Sequence, residues 1–520
     1  MACRASRARN PLLIAFCAGF MLVVSAIASP AGFDVRQHLS TTSRYGAGKA
    51  LLGTVEDVPP PPEGCDPIHL NLVARHGTRG PTKKRIDELE SLVSRLARQL
   101  KDHPVKIEKH PLWLHGYRSP WEGRKVGGEL IPEGEEEMCQ LAQRMRERFP
   151  QLFQYDYHPD VYPITATQVP RSAASAVAFG MGLFEGKGTL GASKLRAFSV
   201  VTDSKKDDIH LRFHESCMAY KELKKLRKPL VQKWQDEVYA EVAASISVRH
   251  ALNLTTEDTA SLWLLCKQEA AILDITDRAC GFFTAAEVEL LEWADDLEAH
   301  HLKGYGEAIN YRMGVPLLRN VLTTMEQAIS ASEGHEFEGV LQVAKFWVAH
   351  AETIIPFSCL LGLFLEGPDV RSSQSEEPVK FAPRPPHPRI WKGSLVAPFG
   401  ANTQLVLYKC PKDSQKDEHK SDADMNSSKY LVQVLHNEKP VTMPACNGAH
   451  FCPFTEFKEN VAGPHFQYSF ESLCSVETVI IPPKESWAQT FVSGIRNLFR
   501  WPCRQSPDLS SIQSSVHKEL

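Results

Sequence analysis

Apolar residues recur along this chain in two rhythms, and the switches between them mark out its elements. Residues 68–74 form a near-continuous apolar run of strand length, and 161–167 and 340–349 repeat it. Helical spacing follows each run. After the first, Ile86, Leu89, Leu92, Leu96 and Leu100 share a face; after the second comes the small-residue stretch 172–184; after the third, 353–364 carries Ile354, Ile355, Leu360, Leu361 and Phe364. A further helix, with Met138, Leu141, Met145 and Phe149 on one side, stops at Pro150. Residues 395–408 and 430–436 read as antiparallel strands around a lysine-rich tip. Between 191 and 339 strand signals nearly vanish and amphipathic helices are expected at 217–232, 236–249, 258–273 and 284–297. The pattern predicts an α/β protein: a central mixed sheet flanked by helices, built from 65–190 and 340–495, with an inserted, mostly helical domain at 191–339. Residues 30–64, ending in four prolines, read as a surface lead-in, and the core starts near Cys65.

The amino terminus changes the picture of where the protein resides. Arg4, Arg7 and Arg9 precede an apolar run from 11 to 27, and Ala26 and Ala28 suit a cleavage site, so 1–28 reads as a secretory signal peptide. No later stretch is apolar enough to span a membrane. The last four residues, His517 to Leu520, differ at one position from endoplasmic reticulum retention tetrapeptides, so retention by a receptor and secretion are both expected fates; 496–520 is the tail that carries them. Of thirteen cysteines, Cys3 and Cys17 fall in the signal. The others predict several bridges and a spare thiol, with Cys266–Cys280 and Cys446–Cys452 the first local pairs to test. Asn253 and Asn426 open glycosylation sequons. A net charge of −3 gives no support for nucleic-acid binding, so any affinity for polyanions must come from a local pocket.

Such a pocket is signalled where the first strand ends, in Arg75-His76-Gly77-Thr78-Arg79-Gly80-Pro81. Two guanidinium groups flank one imidazole, and Gly77 lets the backbone turn beside them. Neutral imidazole is a nucleophile for phosphorus, and arginines match phosphoryl oxygens in bidentate fashion. Arg171 stands at a second strand-to-helix junction, and His350-Ala351-Glu352 at a third. Lys83, Lys84 and Arg85 open the helix after the first strand; cations there oppose the helix dipole and invite an anion, or else form a solvated face. Lys205, Lys206, His210, Arg212 and His214 leave the same two readings open. The mixed loop bearing Trp113, His115, Tyr117, Arg118 and Trp121 either lines a pocket or covers the core.

Taken together, the Arg-His-Gly-x-Arg-x-Pro order, Arg171 in Arg-Ser-Ala-x-Ser-Ala-x-x-Phe, and Gly128 to Gly134 resemble the histidine phosphatase superfamily, in its acid phosphatase and phytase branch. His-Ala-Glu in place of His-Asp is similar to the multiple inositol polyphosphate phosphatases. The resemblance implies a metal-free, cofactor-free phosphomonoesterase. His76 would form a phosphohistidine, Arg75, Arg79, Arg171 and His350 would clamp the phosphate, and Glu352 would protonate the leaving oxygen. Inositol hexakisphosphate is the small-molecule substrate implied, with bisphosphoglycerate a second, and Lys83, Lys84 and Arg85 are expected to meet its outer phosphates. The alternatives are a mutase-type phosphotransferase and a non-catalytic luminal polyphosphate-binding protein.

Overall fold

A computed structural model describes residues 32–51, 60–102, 112–114, 116–335, 340–365, 380–411 and 429–476. The expected signal peptide, the tail with its tetrapeptide, residues 477–495, His115 and the Asn426 sequon lie outside the described residues. Among those described, strands β1 (Asp66–Arg75), β2 (Ile164–Ala166), β3 (Ala344–Ala349), β4 (Asn402–Lys409), β5 (Tyr430–His436), β6 (Lys439–Pro440) and β7 (Phe451–Pro453) form one sheet. Its order is β2-β3-β1-β4-β5-β6, with β7 also on β5. β1, β2 and β3 run parallel, whereas β4 is antiparallel to β1 and β5 antiparallel to β4, so the sheet is mixed, as expected.

Helices in chain order are α1 (Tyr45–Ala50), α2 (Lys83–Asp102), α3 (Pro132–Arg148), α4 (Pro170–Phe184), α5 (Phe213–Ser216), α6 (Met218–His250), α7 (Thr256–Leu273), α8 (Ala285–Lys303), α9 (Ala308–Arg312), α10 (Val315–Ser332) and α11 (Ala351–Leu360). Strand side chains alternate between two covered faces. Leu70, Leu72, Phe346 and Val406 meet Met138 and Leu141 of α3 and Phe179 of α4. Val73, Trp347, Leu405 and Val432 meet Leu318 and Val321 of α10 and Ile354 of α11. Each such fully buried side chain contributes about 1.5–3 kcal/mol by leaving water. Two polar residues of β1 also face α10: His69 and Asn71 lie 3.1 Å from the Thr324 hydroxyl, so their burial costs little.

A second, wholly helical body gathers Ile86 and Leu89 of α2, Val238 of α6, Leu262 of α7 and Leu291 of α8. The helices of 191–339 are therefore divided: α6 to α8 join this body, together with α2 from outside that range, while α10 packs on the sheet. The helices expected at 217–232 and 236–249 are one, α6, which continues through Pro229; at the expected break Gln235 is buried and donates to the Ala294 carbonyl of α8. α8 runs two turns past 297 to Lys303, and 395–401 is not strand, since β4 begins at Asn402.

The lead-in expected at 30–64 is corrected most. Leu39 and Tyr45 are buried, and Ser40 donates to Asp296 of α8 at 2.6 Å, so the described part of this segment is tied to the core. Both expected local disulfides are formed, and two long-range ones, Cys65–Cys410 and Cys217–Cys474, join them. Cys139 and Cys359 are free, one thiol more than expected even among the described residues. No described helix is long and apolar enough to cross a membrane.

Candidate active site

Parallel pairing brings the candidate residues together. Arg75, the last residue of β1, is in register with Ala349, the last of β3, so His76 and His350 leave the sheet side by side. Their ring centroids lie 5.6 Å apart and the rings meet edge-on. β2 ends at the same edge, and there the Thr167 hydroxyl lies 3.0 Å from His350 Nε2. α4 and α11 begin at this edge too, so two positive helix ends converge where Arg171 and Glu352 stand in first turns.

The loop after β1 is held from all sides. The His76 N–H donates to the Ala349 carbonyl, and the Gly400 N–H donates to the His76 carbonyl, both at 3.0 Å. Gly77 donates to the Ser175 hydroxyl of α4, and the Thr78 N–H to the Glu137 carboxylate of α3 at 2.8 Å. Ile131 donates to the Thr78 carbonyl, and Gly80 to that of Glu129, so the 128–134 element pairs with the loop. Only glycine fits at 77, because a Cβ there would lie 2.1 Å from the Gly134 carbonyl oxygen.

His76 Nδ1 lies 2.9 Å from the Gly77 carbonyl, which can only accept. The ring proton therefore sits on Nδ1 and the lone pair on Nε2. Burial, with the charges of Arg75, His350, Arg79 and Arg171, holds the imidazole far below its usual titration range and keeps it neutral. Burial and Arg171 likewise pull His350 down to about 3.

The cations around these rings are short of partners. Arg75 donates to the carbonyls of Thr41 and Ala397, and its guanidinium stacks 4.3 Å from the Phe399 ring centre. Arg79 donates to the Gly80 carbonyl, and Arg171 approaches His350 Nδ1 at 3.4 Å. Yet the Nε atoms of Arg75, Arg79, Arg171 and Arg212, and Nδ1 of His214, are buried without a hydrogen-bond partner. Burial and mutual repulsion pull Arg75 down to about 9 and Arg79 to about 10. Each buried unsatisfied donor costs about 1–3 kcal/mol, so an anion seated among them would be strongly favoured.

Glu352 is the acid at this edge, and it is not free. Lys303 at the end of α8 holds it in an ion pair at 3.0 Å. That cation, opposed by burial and helped by His214 and His350, keeps the carboxyl well below the usual carboxylate range. His76, Arg75, Arg79, Arg171, His350 and Glu352 thus share one site. Lys83, Lys84 and Arg85 do not reach into it as a group: Lys83 pairs with Asp87 and Arg85 with Glu88 on the surface of α2, and only Arg85 is felt electrically, at Arg79. Of the five charges at 205–214, Arg212 and His214 turn inward. Read from sequence alone, Thr167, Glu137 and Lys303 have no role, and Ser175 enters only as part of the motif around Arg171. Thr167, Glu137 and Lys303 carry no local signal, since each acts through contacts between distant segments.

A family model described as histidine phosphatase superfamily (branch 2) matches residues 68–437. Multiple inositol polyphosphate phosphatase 1 of Dictyostelium discoideum is 28% identical over 465 residues, covering 80% of this chain and 69% of its own. Among solved structures, a phytase from D. castellii superposes with a TM-score of 0.64 at 16% identity, covering 87% of this chain and 90% of that one. A multiple inositol polyphosphate phosphatase of Bifidobacterium longum, solved with inositol hexasulfate, gives 0.59 at 18%, covering 82% and 98%.

Proposed function

Because the chain belongs to the histidine phosphatase superfamily, branch 2, we propose that it is a phosphomonoesterase acting on inositol hexakisphosphate and lower inositol polyphosphates through a phosphohistidine. The observation that carries this reading is a neutral imidazole beside three arginines, Arg75, Arg79 and Arg171, whose buried Nε groups lack acceptors. The names of the relatives support the substrate class.

The steps follow from the side chains. A phosphate dianion takes the arginine donors, and its charge draws a proton onto His350 Nδ1, which then donates to a phosphoryl oxygen. His76 Nε2 attacks phosphorus and the P–O ester bond breaks in line. Glu352, protonated, gives its proton to the leaving alkoxide. Glu352 carboxylate then takes a proton from water, whose oxygen attacks the phosphohistidine; inorganic phosphate leaves and His76 is neutral again. Thr167 fixes His350, and Glu137 and Ser175 fix the loop that presents His76.

We further read the protein as one of the secretory pathway, carrying a cleaved signal at 1–28 and either retained by its last four residues or secreted. Four disulfides and the exposed Asn253 sequon support an oxidising lumen. Purified protein, given inositol hexakisphosphate without added metal, should release inorganic phosphate. His76→Ala should lower that rate more than about a thousandfold. Undiminished release by His76→Ala would sink the reading, whereas phosphate returned to a sugar acid would favour a mutase.

A further inference from the structure

On the proposed mechanism Glu352 has to donate a proton, yet its carboxylate is paired with an ammonium group at 3.0 Å. Lys303 sits in the last turn of α8, before Gly304, on a stem of four methylenes, and 17% of its side chain remains exposed. Resting on the phosphatase reading above, we propose that Lys303 is a positioning residue that arms the acid: a polyphosphorylated substrate draws it onto a second phosphate, and Glu352, released, takes up one proton from bulk water.

Other groups around Glu352 cannot do this. Before phosphate binds, His214 of α5 and His350 are held neutral by burial, and Lys224 of α6, whose ammonium form burial and Lys303 disfavour, is not among the largest influences on Glu352. Arg75, Arg79 and Arg171 lie on the phosphate side, where the scissile group would neutralise them. Tyr220 of α6 stays protonated. Glu215 and Glu298 add negative charge, Glu298 next to Lys303. Lys303 is therefore the cation whose departure changes the carboxylate most, since it is the largest single influence on it. Once it leaves, burial pushes Glu352 upward against only the two imidazoles, so the acid form persists to higher pH than with Lys303 in place.

A substrate with one phosphate fills the arginine cradle but leaves Lys303 on Glu352. The acid is then protonated only at low pH, and the cost falls on kcat for poor leaving groups. The device would make phosphate number a determinant of turnover as well as of affinity.

The test compares the alkaline limb of kcat for inositol hexakisphosphate with that for glycerol 2-phosphate. In the wild type the glycerol 2-phosphate limb should lie lower. Lys303→Met should move it up by about one pH unit or more, towards the hexakisphosphate limb, while raising KM for hexakisphosphate. Lys303→Arg should restore the separation. Coincident limbs in the wild type, a comparison that needs no variant to fold, would overturn the proposal, as would an unmoved limb in Lys303→Met. If His76→Ala is inactive and the limbs still coincide, only the role of Lys303 fails; if His76→Ala keeps hydrolysing, the phosphatase reading fails with it.

Discussion

His76 has one nitrogen spent on the Gly77 carbonyl and one left with a free lone pair, as the proposed attack on phosphorus requires. Its environment keeps it unprotonated without any partner carboxylate, since burial and four neighbouring cationic or imidazole groups all push the same way. Glu352 lives under the opposite influence, with one lysine outweighing burial. Removing its proton while keeping its shape should therefore expose its role. Glu352→Gln is expected to slow alkyl phosphates by about a hundredfold to ten-thousandfold and p-nitrophenyl phosphate far less, read as kcat across a series of leaving groups. A uniform loss across the series would assign Glu352 to structure instead. At this scale the chain is legible wherever chemistry is packed into a few consecutive residues. Arg75, His76 and Arg79 share one loop, and His350 and Glu352 lie two apart. Lys303 escapes because its partner is 49 positions away and nothing beside it in sequence marks the pairing.

Between residue and molecule lies the contact of two loops through two glycines. The loop after β1 and the start of α3 approach until Gly77 and Gly134 touch backbone to backbone. Gly77→Ala places a methyl group against the Gly134 carbonyl, so one loop must move. Overpacking of this kind costs about 1–3 kcal/mol, and the displaced loop carries His76 and Arg79. Thermal unfolding should register a modest fall for Gly77→Ala while phosphatase activity falls by orders of magnitude; equal activity in the variant would show that the contact does not position the site. Strands and their following helices were legible because each apolar run is bounded by turn residues. Elements whose pattern breaks were not. The end of α8 carries His300, His301 and Lys303, and only Ala299, His300 and Leu302 turn inward there, a stripe too polar to read as helix. α10 is apolar on one face but sits in a stretch dominated by other helices, and what it covers, His69 and Asn71 of β1, looks polar from sequence.

At the scale of the whole molecule, two long-range disulfides join segments that the site depends on. Cys217–Cys474, with a separation of 257 residues, anchors the junction of α5 and α6, which carries His214 and Lys224. Replacing both cysteines by alanine should cost about 2–5 kcal/mol and lower the thermal midpoint. The same change at Cys446 and Cys452, six residues apart, should cost less in differential scanning calorimetry. Sequence could nominate the short bridges because proximity along the chain implies proximity in space; the long ones depend on topology. So does the N-terminal segment: its polar, proline-rich composition reads as surface, yet Thr41 supplies a carbonyl to Arg75. Topology also imposes an order of assembly. β1 is synthesised early, but both of its neighbours, β3 and β4, come from the far end of the chain, and Cys65 must wait 345 residues for Cys410. While the ribosome is still making the helices in between, an apolar strand with two open edges needs shielding from aggregation. The enzyme consequently stays inert during translation, and its first turnover comes only after nearly all of the polypeptide has emerged.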